Sequence, residues 1–238
     1  MLKIEHLTKK YGDKLAVDDL TLTVEGGQIC AFIGHNGAGK TTTLKCIAGI
    51  INFDSGKITI NDFDIIDDTM NAKKQLAYIP DNPDLYEHLK GIDYLNFIAD
   101  VFDISVDDRK KYIEEYARRL EIYANLNDTI SSYSHGMKQK LALVSALIHK
   151  PKLLLLDEPF VGLDPISSHQ FKAIMKELAD AGCAIFYSTH VLDVAEKICS
   201  HVAIIKEGRL LVHDTMEKVK GMNSLEDIFL ELENEKHD

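Results

Sequence analysis

Residues 34–42 combine glycines, a lysine and threonines at the spacing of a phosphate-binding loop, or P-loop. The stretch is Gly34, His35, Asn36, Gly37, Ala38, Gly39, Lys40, Thr41 and Thr42. It follows an apolar run at 29–33 and precedes a helical pattern at 43–48, the strand–loop–helix context that the motif requires. Glycines let consecutive backbone N–H groups turn inward around an anion, and the following helix adds its positive end. We expect Lys40 to reach the β- and γ-phosphates of a nucleotide and the Thr41 hydroxyl to bind Mg²⁺.

The most apolar run of the chain, residues 152–156, ends in two carboxylates, Asp157 and Glu158. Two acids at the end of a buried strand are costly unless a cation or a reaction needs them. A helix cap is the alternative, and the P-loop upstream argues against it. We interpret the run as a Walker B strand. Asp157 would hold the Mg²⁺ shell, and Glu158 would polarise the water that attacks the γ-phosphate.

Composition limits the class of protein. The chain has 238 residues, 45% hydrophobic and 27% charged, which are globular values. The formal net charge of −11 argues against broad nucleic-acid binding, because that needs a basic face, so no nucleic-acid partner is expected. The four cysteines lack metal-type spacing and are interpreted as reduced core residues of a cytosolic protein. No apolar run is long enough to span a membrane, so a membrane role would need a partner.

Further strands and turns frame these motifs. Residues 2–7 predict a strand followed by a turn at 9–12, and the alternation at 20–24 predicts a half-buried strand of an antiparallel sheet beside a parallel core. A short strand at 76–79 stops at Pro80, another at 184–187 ends before residues 188–190, and residues 202–212 predict a hairpin. An amphipathic helix is predicted near the end, at about 224–235.

From residue 85 to about residue 130 the pattern changes to amphipathic helix. Tyr94, Leu95 and Ile98 keep one face apolar, and Ile113 and Leu120 do the same further on. An ordinary crossover helix is the alternative, but it is too short for this stretch. We predict an inserted helical subdomain at about 85–150.

With these motifs in place, the chain resembles the ATPase subunit of an ATP-binding cassette (ABC) transporter along nearly its whole length. Residues 133–139 lie where that family carries its Leu-Ser-Gly-Gly-Gln signature, before a helix and upstream of Walker B. Ser134 and Gly136 match the signature, whereas Tyr133, His135 and Met137 depart from it. The resemblance implies that the Ser134 hydroxyl, the Gly136 N–H and the helix N-terminus face a phosphate. A Ser-capped helix is the alternative.

The resemblance assigns four more positions. Tyr11 lies where the family stacks an aromatic ring on adenine, although a strand-end aromatic is the alternative. Residues 162–164, Gly-Leu-Asp, resemble the D-loop that crosses between two cassettes. His190 occupies the position of the switch histidine, which would contact the γ-phosphate and hold the attacking water. Asp81 stands where the family usually has Gln; it can accept a water or Mg²⁺ contact but cannot donate as an amide does.

The resemblance implies an α/β fold: a P-loop NTPase core with a mixed sheet, an N-terminal antiparallel β subdomain and the inserted helical subdomain, as one nucleotide-binding domain over residues 1–238. Its cofactors would be ATP and Mg²⁺. Two copies, or this chain and a paralogous cassette, would pair head to tail, since in the family Ser134 cannot reach the P-loop of its own chain. ATP would close the pair and hydrolysis would reopen it, which would drive a separate membrane permease from the cytoplasmic face of the cell membrane.

The signature variant, the acid at position 81 and the tail at 224–232 resemble exporter-type cassettes of bacteria, including drug and antibiotic exporters. Three alternatives remain. A soluble ABC ATPase acting on ribosomes or DNA generally carries two cassettes or long coiled-coil insertions, which this chain lacks. A small-molecule kinase would lack the signature. A nucleotide-binding regulator without turnover is disfavoured by Glu158 and His190.

A contact surface for the permease is predicted between the Pro80 strand and the helical insertion. Residues 81–102 carry more apolar and aromatic side chains than a solvated loop and one helix need: Leu85, Tyr86, Leu89, Tyr94 and Phe97. Packing inside the insertion is the alternative. Leu85 and Tyr86 lie in a Pro- and Asp-rich loop, so we expect them to be exposed and to receive a short helix of the membrane subunit.

Overall fold

Two β-sheets organise the chain, whose computed structural model describes residues 1–221 and 224–234. The described residues form ten strands, which are β1 (Leu2–Tyr11), β2 (Lys14–Val24), β3 (Ile29–Ile33), β4 (Ser55–Ile60), β5 (Phe63–Asp64), β6 (Leu76–Ile79), β7 (Leu153–Asp157), β8 (Ala184–Thr189), β9 (His201–Lys206) and β10 (Arg209–Thr215). The first sheet has the order β2-β1-β4-β5 and the second β10-β9-β3-β8-β7-β6.

The first sheet is antiparallel throughout, as the alternation at 20–24 predicted. The predicted turn at 9–12 is wrong in its start. Strand β1 continues through Tyr11, which pairs with Lys14, and register shifts beyond Ile4 let the strand bend without losing its partner. Such bulges increase the local twist of a strand while preserving the ladder on either side. The tight turn comes at Gly12, whose φ of 58° suits glycine.

The second sheet places the chemical residues at one edge. Strands β9, β3, β8, β7 and β6 run parallel, and β10 pairs antiparallel with β9 in the predicted hairpin. Parallel strands end at the same edge of a sheet, which is where α/β proteins bind ligands. The P-loop follows β3, Asp157 ends β7, His190 follows β8 and Asp81 comes two residues after β6. These four positions are therefore brought to the same edge.

Both faces of this sheet are buried, which explains its unbroken apolar strands. In β7, Leu154 and Leu156 join the core shared with the helices, whereas Leu153 and Leu155 join the core shared with the antiparallel sheet. All four leucines are fully buried, and truncating one to Ala would cost about 2–5 kcal/mol. The four cysteines are also buried as free thiols, as predicted.

Helices cover the sheet and share a core with its strands. The described residues form nine α-helices, which are α1 (Lys40–Ile47), α2 (Thr69–Gln75), α3 (Gly91–Val101), α4 (Val106–Arg119), α5 (His135–Leu147), α6 (Pro165–Asp180), α7 (Leu192–Ile198), α8 (Met216–Lys220) and α9 (Leu225–Asn234). Helices α3, α4 and α5 share one core through Leu95, Tyr116 and Leu141. Arg119 of α4 forms two hydrogen bonds, at 2.6 and 2.8 Å, with the Glu177 carboxylate of α6. This ion pair joins α4 of the helical segment to α6, which packs on the second sheet.

The predicted exposure of Leu85 is wrong. Leu85 is 7% exposed and belongs to the core that the helices share, so it packs locally and needs no partner. Tyr86 is exposed as expected. Near the end of the chain, α9 begins one residue after the predicted start at 224, and the predicted end at 235 lies outside the described residues. None of the helices in the described residues is long and apolar enough to cross a membrane.

Candidate active site

Two glycines of the P-loop lie where the backbone leaves no room for a side chain. A Cβ atom on Gly34 would lie 2.4 Å from the Ile205 carbonyl oxygen, and one on Gly39 would lie 2.4 Å from the Ala16 carbonyl oxygen. Gly39, the residue before α1, also has a φ of 111°. Close packing against β9 and β2 therefore requires glycine at both positions, and a glycine-rich loop of this kind can form an anion-binding nest.

Lys40 is held inside this loop. Only 7% of the residue is exposed, and its ammonium donates hydrogen bonds to the carbonyl oxygens of Gly34 and of His35, the latter at 3.0 Å. Burial lowers the pKa of Lys40, and the negative charges of Glu158 and Asp157 oppose that shift. The ammonium is thus poised to exchange neutral carbonyls for anionic phosphate oxygens, which would stabilise its charge further.

Asp157 and Thr41 meet at the base of the site. The Thr41 hydroxyl donates to Asp157 Oδ2 at 2.7 Å, and the Ser188 hydroxyl donates to Asp157 Oδ1. Asp157 is 2% exposed. No cluster of three or more His, Cys, Asp or Glu residues suited to a metal occurs in the described part of the chain. A hydroxyl and one carboxylate nevertheless fit Mg²⁺, which commonly takes one or two protein carboxylates and completes its shell with phosphates and waters.

Glu158 and His190 form the second pair of the site. His190 Nδ1 lies 2.8 Å from Glu158 Oε1, and the Glu158 side chain is 18% exposed. Glu158 takes a φ of 49°, and its N–H donates to the Ser188 hydroxyl at 3.2 Å. A non-glycine residue in this conformation is uncommon, and surrounding structure must hold it there. The carboxylate and the imidazole are therefore positioned together at the sheet edge, beside Asp157.

Asp157 and Glu158 line a cavity of about 330 Å³, whereas His190 lies outside its lining and borders a neighbouring cavity. The lining also includes Tyr11, Asp81 and the P-loop residues 36, 37 and 39–42, but not Gly34, His35 or Ala38. Tyr11 is half exposed, and the Lys9 ammonium lies 5.0 Å from the centre of its ring. Asp81 is exposed and accepts the N–H of Asn82. The cavity is large enough for a small ligand and carries an aromatic surface at one side and anion-binding groups at the other.

The signature residues lie outside this cavity. Its lining includes neither Ser134 nor Gly136, both within the described residues. The Ser134 hydroxyl instead accepts the N–H of Met137 at the start of α5. A Cβ atom on Gly136 would lie 2.5 Å from the Gly162 carbonyl oxygen, so the signature packs against the D-loop. The chain thus brings these two segments together and leaves Ser134 on the surface.

Three residues of this arrangement are not identified from the sequence. The Ser188 hydroxyl donates to Asp157 and accepts the Glu158 N–H. The sequence feature that could have identified it is a hydroxyl residue close to His190 at the end of an apolar strand. The Tyr78 hydroxyl is buried without a hydrogen-bond partner among the described residues. Burial raises the Tyr78 pKa, and the charges of Asp157 and Asp81 add to the shift. The sequence feature that could have identified Tyr78 is a tyrosine within a short, otherwise aliphatic strand.

The third is Lys140, whose ammonium lies 2.6 Å from Asp164 Oδ2. This ion pair joins the signature helix α5 to the N-terminus of α6, where Asp164 also accepts the Ser167 N–H at 2.8 Å. Lys140 lies six residues after Ser134. The helix carries other polar residues as well, so the sequence alone does not identify Lys140 as the one that contacts the D-loop. Only the fold shows that it faces the D-loop.

Comparison with known proteins agrees with this set of motifs. The family model described as ABC transporter matches residues 17–161, more than half of the chain. The chain belongs to the ABC transporter family. A solved structure, described as the ATP binding subunit of an ABC transporter, matches this ABC cassette with a TM-score of 0.95 and 33% identity, covering 98% of this chain and 100% of that one. The predicted fold class is confirmed, and the cassette is an ATPase of this family.

Two Bacillus proteins match most of this cassette and about seven tenths of their own length. The linearmycin resistance ATP-binding protein LnrL of Bacillus subtilis (strain 168) is 32% identical over 215 residues, which cover 90% of this cassette and 69% of LnrL. The bacitracin transport ATP-binding protein BcrA of Bacillus licheniformis is 34% identical over 224 residues, which cover 94% of this cassette and 72% of BcrA. Both relatives are described as ATP-binding proteins, and one of them as acting in transport.

Proposed function

We propose that this cassette hydrolyses ATP with Mg²⁺ to drive a separate membrane permease, by closing on a second cassette, and that transport is export. The observation that carries the proposal is the division of the motifs. Lys40, Thr41, Asp157 and Glu158 surround one cavity, whereas Ser134 and Gly136 lie outside it. A second cassette would supply its own signature segment to this cavity.

The residues of the cavity support hydrolysis by direct attack of water. The P-loop N–H groups and Lys40 would bind the phosphates, and Mg²⁺, when held by Thr41 and Asp157, would neutralise charge on the β- and γ-phosphates. Glu158 would accept the proton of the attacking water while the bond from the γ-phosphorus to the bridging oxygen breaks and ADP leaves. His190, 2.8 Å from Glu158, would hold that water and the γ-phosphate in line.

The helical segment offers a surface for the permease. Tyr86 lies with its ring centre 6.1 Å from that of Tyr94 and 5.8 Å from that of Phe97, both nearly edge to face. Tyr86 is 52% and Phe97 44% exposed, and we call these three residues the aromatic patch. A short amphipathic helix of a membrane protein would bury such a patch. Asp81 precedes it in the chain and lines the nucleotide cavity, so closure of two cassettes would move the docked helix.

The descriptions of two relatives support export. The relatives LnrL and BcrA are described by linearmycin resistance and by bacitracin transport, and moving an antibiotic out of the cell would give resistance. The described residues contain no helix that could cross a membrane, so the permease would supply the membrane path. The cassette would bind peripherally to the inner face of the cell membrane.

The test is to search the neighbouring genes for a multi-span membrane protein, to co-purify that protein with the cassette, and to measure ATP hydrolysis of the complex in proteoliposomes. We expect a Tyr86→Ala, Phe97→Ala double variant to lose the membrane protein while keeping its basal ATPase activity and melting temperature. Val106→Ala is the matched control, because Val106 is 74% exposed and lies outside the aromatic patch. Normal co-purification of the double variant would place the permease contact elsewhere, and a wild-type cassette that binds no membrane protein would contradict the proposal.

A further inference from the structure

The C-terminal helix α9 is anchored to α7, the short helix that begins two residues after His190. The Leu225 N–H at the start of α9 donates to Glu196 Oε1 of α7 at 2.7 Å. The other oxygen of that carboxylate, Oε2, lies 2.8 Å from the Lys220 ammonium of α8. Leu225 is completely buried. One carboxylate of α7 therefore fixes the beginning of α9 and the end of α8 together.

One turn further along α9, Phe229 contacts the P-loop. The Phe229 and His35 rings have their centres 5.0 Å apart with an interplanar angle of 59°, within the range of favourable aromatic pairs. The carbonyl oxygen of the same His35 accepts a hydrogen bond from Lys40 at 3.0 Å. The aromatic ring of α9 thus packs on a residue whose backbone holds the phosphate-binding lysine.

Phe229 also forms one wall of a second cavity, of about 460 Å³, next to the nucleotide cavity. His190 and Leu192 form another wall of this second cavity, and the P-loop residues Gly34, His35 and Asn36 close it. Asn36 lines both cavities, whereas Phe229 lines only the second one. Phe229 therefore faces the His190 side of the P-loop and not the space in which the adenine and sugar would lie.

We infer that Phe229 is a positioning residue for ATP hydrolysis, through which α9 holds His35 and the His190 side of the P-loop in their active arrangement. The inference rests on the proposed role of His190. It makes turnover depend on α9 remaining docked on α7. Nucleotide binding would depend on α9 far less, because the nucleotide cavity is complete without Phe229.

The test compares steady-state ATP hydrolysis of the full chain with that of single variants. We expect Phe229→Ala to lower kcat about fivefold to tenfold while the KM for ATP stays within about twofold, since misplacement next to the reacting groups costs turnover more than binding. Phe229→Tyr keeps the ring and should restore kcat. Ile228→Ala is the matched control: it removes apolar volume from the neighbouring residue of α9, which packs on the core and does not line the second cavity.

The outcomes separate this inference from the role of α9 in stability. Equal losses of kcat in Phe229→Ala and Ile228→Ala, following equal losses of melting temperature, would overturn it. If Phe229→Ala unfolds, Phe229→Leu replaces it, because leucine keeps apolar volume without the ring. Full turnover in His190→Ala would contradict the proposed function instead. An inactive His190→Ala together with wild-type kinetics in Phe229→Ala would overturn the further inference alone.

Discussion

The nucleotide cavity and the signature surface, which comprises residues 133–140 and the adjoining D-loop residues 162–164, differ in how completely one chain satisfies their polar groups. In the cavity, Lys40 binds two carbonyl oxygens, and Asp157 accepts from Thr41 and Ser188. On the signature surface, the exposed Ser134 hydroxyl does no more than cap its own helix. One region is preorganised within the chain, and the other presents a helix N-terminus to solvent. A helix N-terminus can bind an anion, because its first N–H groups have no intrahelical partners.

This difference predicts that nucleotide binding and ATP hydrolysis depend on different regions of the chain. If the cavity is complete in one chain, a monomer should bind nucleotide. If the signature segment acts in the cavity of a second copy, only a pair should hydrolyse it efficiently. Variants in the two regions should therefore fail in different ways, and variants in the cavity should have the largest effects.

Lys40→Ala should weaken ATP binding about 100-fold or more, because it removes the one lysine that the P-loop buries and leaves the triphosphate to backbone dipoles and Mg²⁺. Equilibrium binding of a fluorescent ATP analogue to the dilute protein measures the loss. Lys10→Ala, an exposed lysine of β1 outside the cavity, is the control and should bind normally. Near-normal affinity in Lys40→Ala would contradict the P-loop assignment.

Glu158→Gln should retain ATP binding but slow hydrolysis about 100-fold or more, because an amide cannot accept the proton of the attacking water. The ATP-bound pair should then persist. Size-exclusion chromatography with ATP and Mg²⁺ should show a dimer for this variant and a monomer without ATP. A monomer under both conditions, while a cassette known to dimerise does so alongside, would argue against a site shared between two chains.

Ser134→Arg should leave nucleotide binding to the monomer within about twofold of the wild type and should reduce turnover about tenfold or more, because the arginine would occupy the space of the partner's γ-phosphate contact. Ser131→Arg, at an exposed position before the signature, is the matched control. Lost affinity in the dilute Ser134→Arg monomer would mean that Ser134 serves the cavity of its own chain. That result would remove the contrast between the two regions.

How far the sequence predicts this molecule depends on whether a residue acts through its neighbours in the chain. The P-loop and the Asp157–Glu158 pair are local patterns, and the structure brings them together at one edge because parallel strands share a direction. Ser188 and Lys140 act across the fold instead, and their partners are 31 and 24 residues away in sequence (188 − 157 and 164 − 140). No spacing rule connects such pairs before the topology is known.

Leu85 is a residue for which the sequence predicted the wrong environment. Its loop contains Pro83 and acids, which predicts exposure, yet Leu85 packs into the core of the helical segment. Composition describes the average of a loop, whereas burial depends on which single side chain points inward. The same limit applies to β1, whose extension through Tyr11 depends on pairing with β2 more than on its own residues.

The smallest effect is expected where the signature surface is held together by an ion pair. The Lys140 ammonium and the Ser167 N–H hold the pKa of Asp164 well below its usual range. Asp164→Asn removes the charge and keeps a good N-cap for α6. Because 41% of the Asp164 side chain is exposed, solvent screening limits the loss of unfolding free energy to about 0.5–1 kcal/mol, or roughly 1–4 °C in melting temperature.

The pH dependence identifies this ion pair as the cause. A carboxylate whose pKa is lower in the folded state stabilises the fold fully above its unfolded pKa, near 4, and loses that contribution as the pH falls toward the folded pKa. The difference in melting temperature between the wild type and Asp164→Asn should therefore be constant from about pH 7 to pH 5 and shrink below about pH 4. Asp13→Asn, in the turn between β1 and β2, is the control and should melt with the wild type at each pH. Nucleotide binding should not change in Asp164→Asn, since Asp164 lies outside the cavity. A difference in melting temperature that persists undiminished at pH 3 would mean that the asparagine disturbs the helix cap and that the charge of Asp164 contributes little.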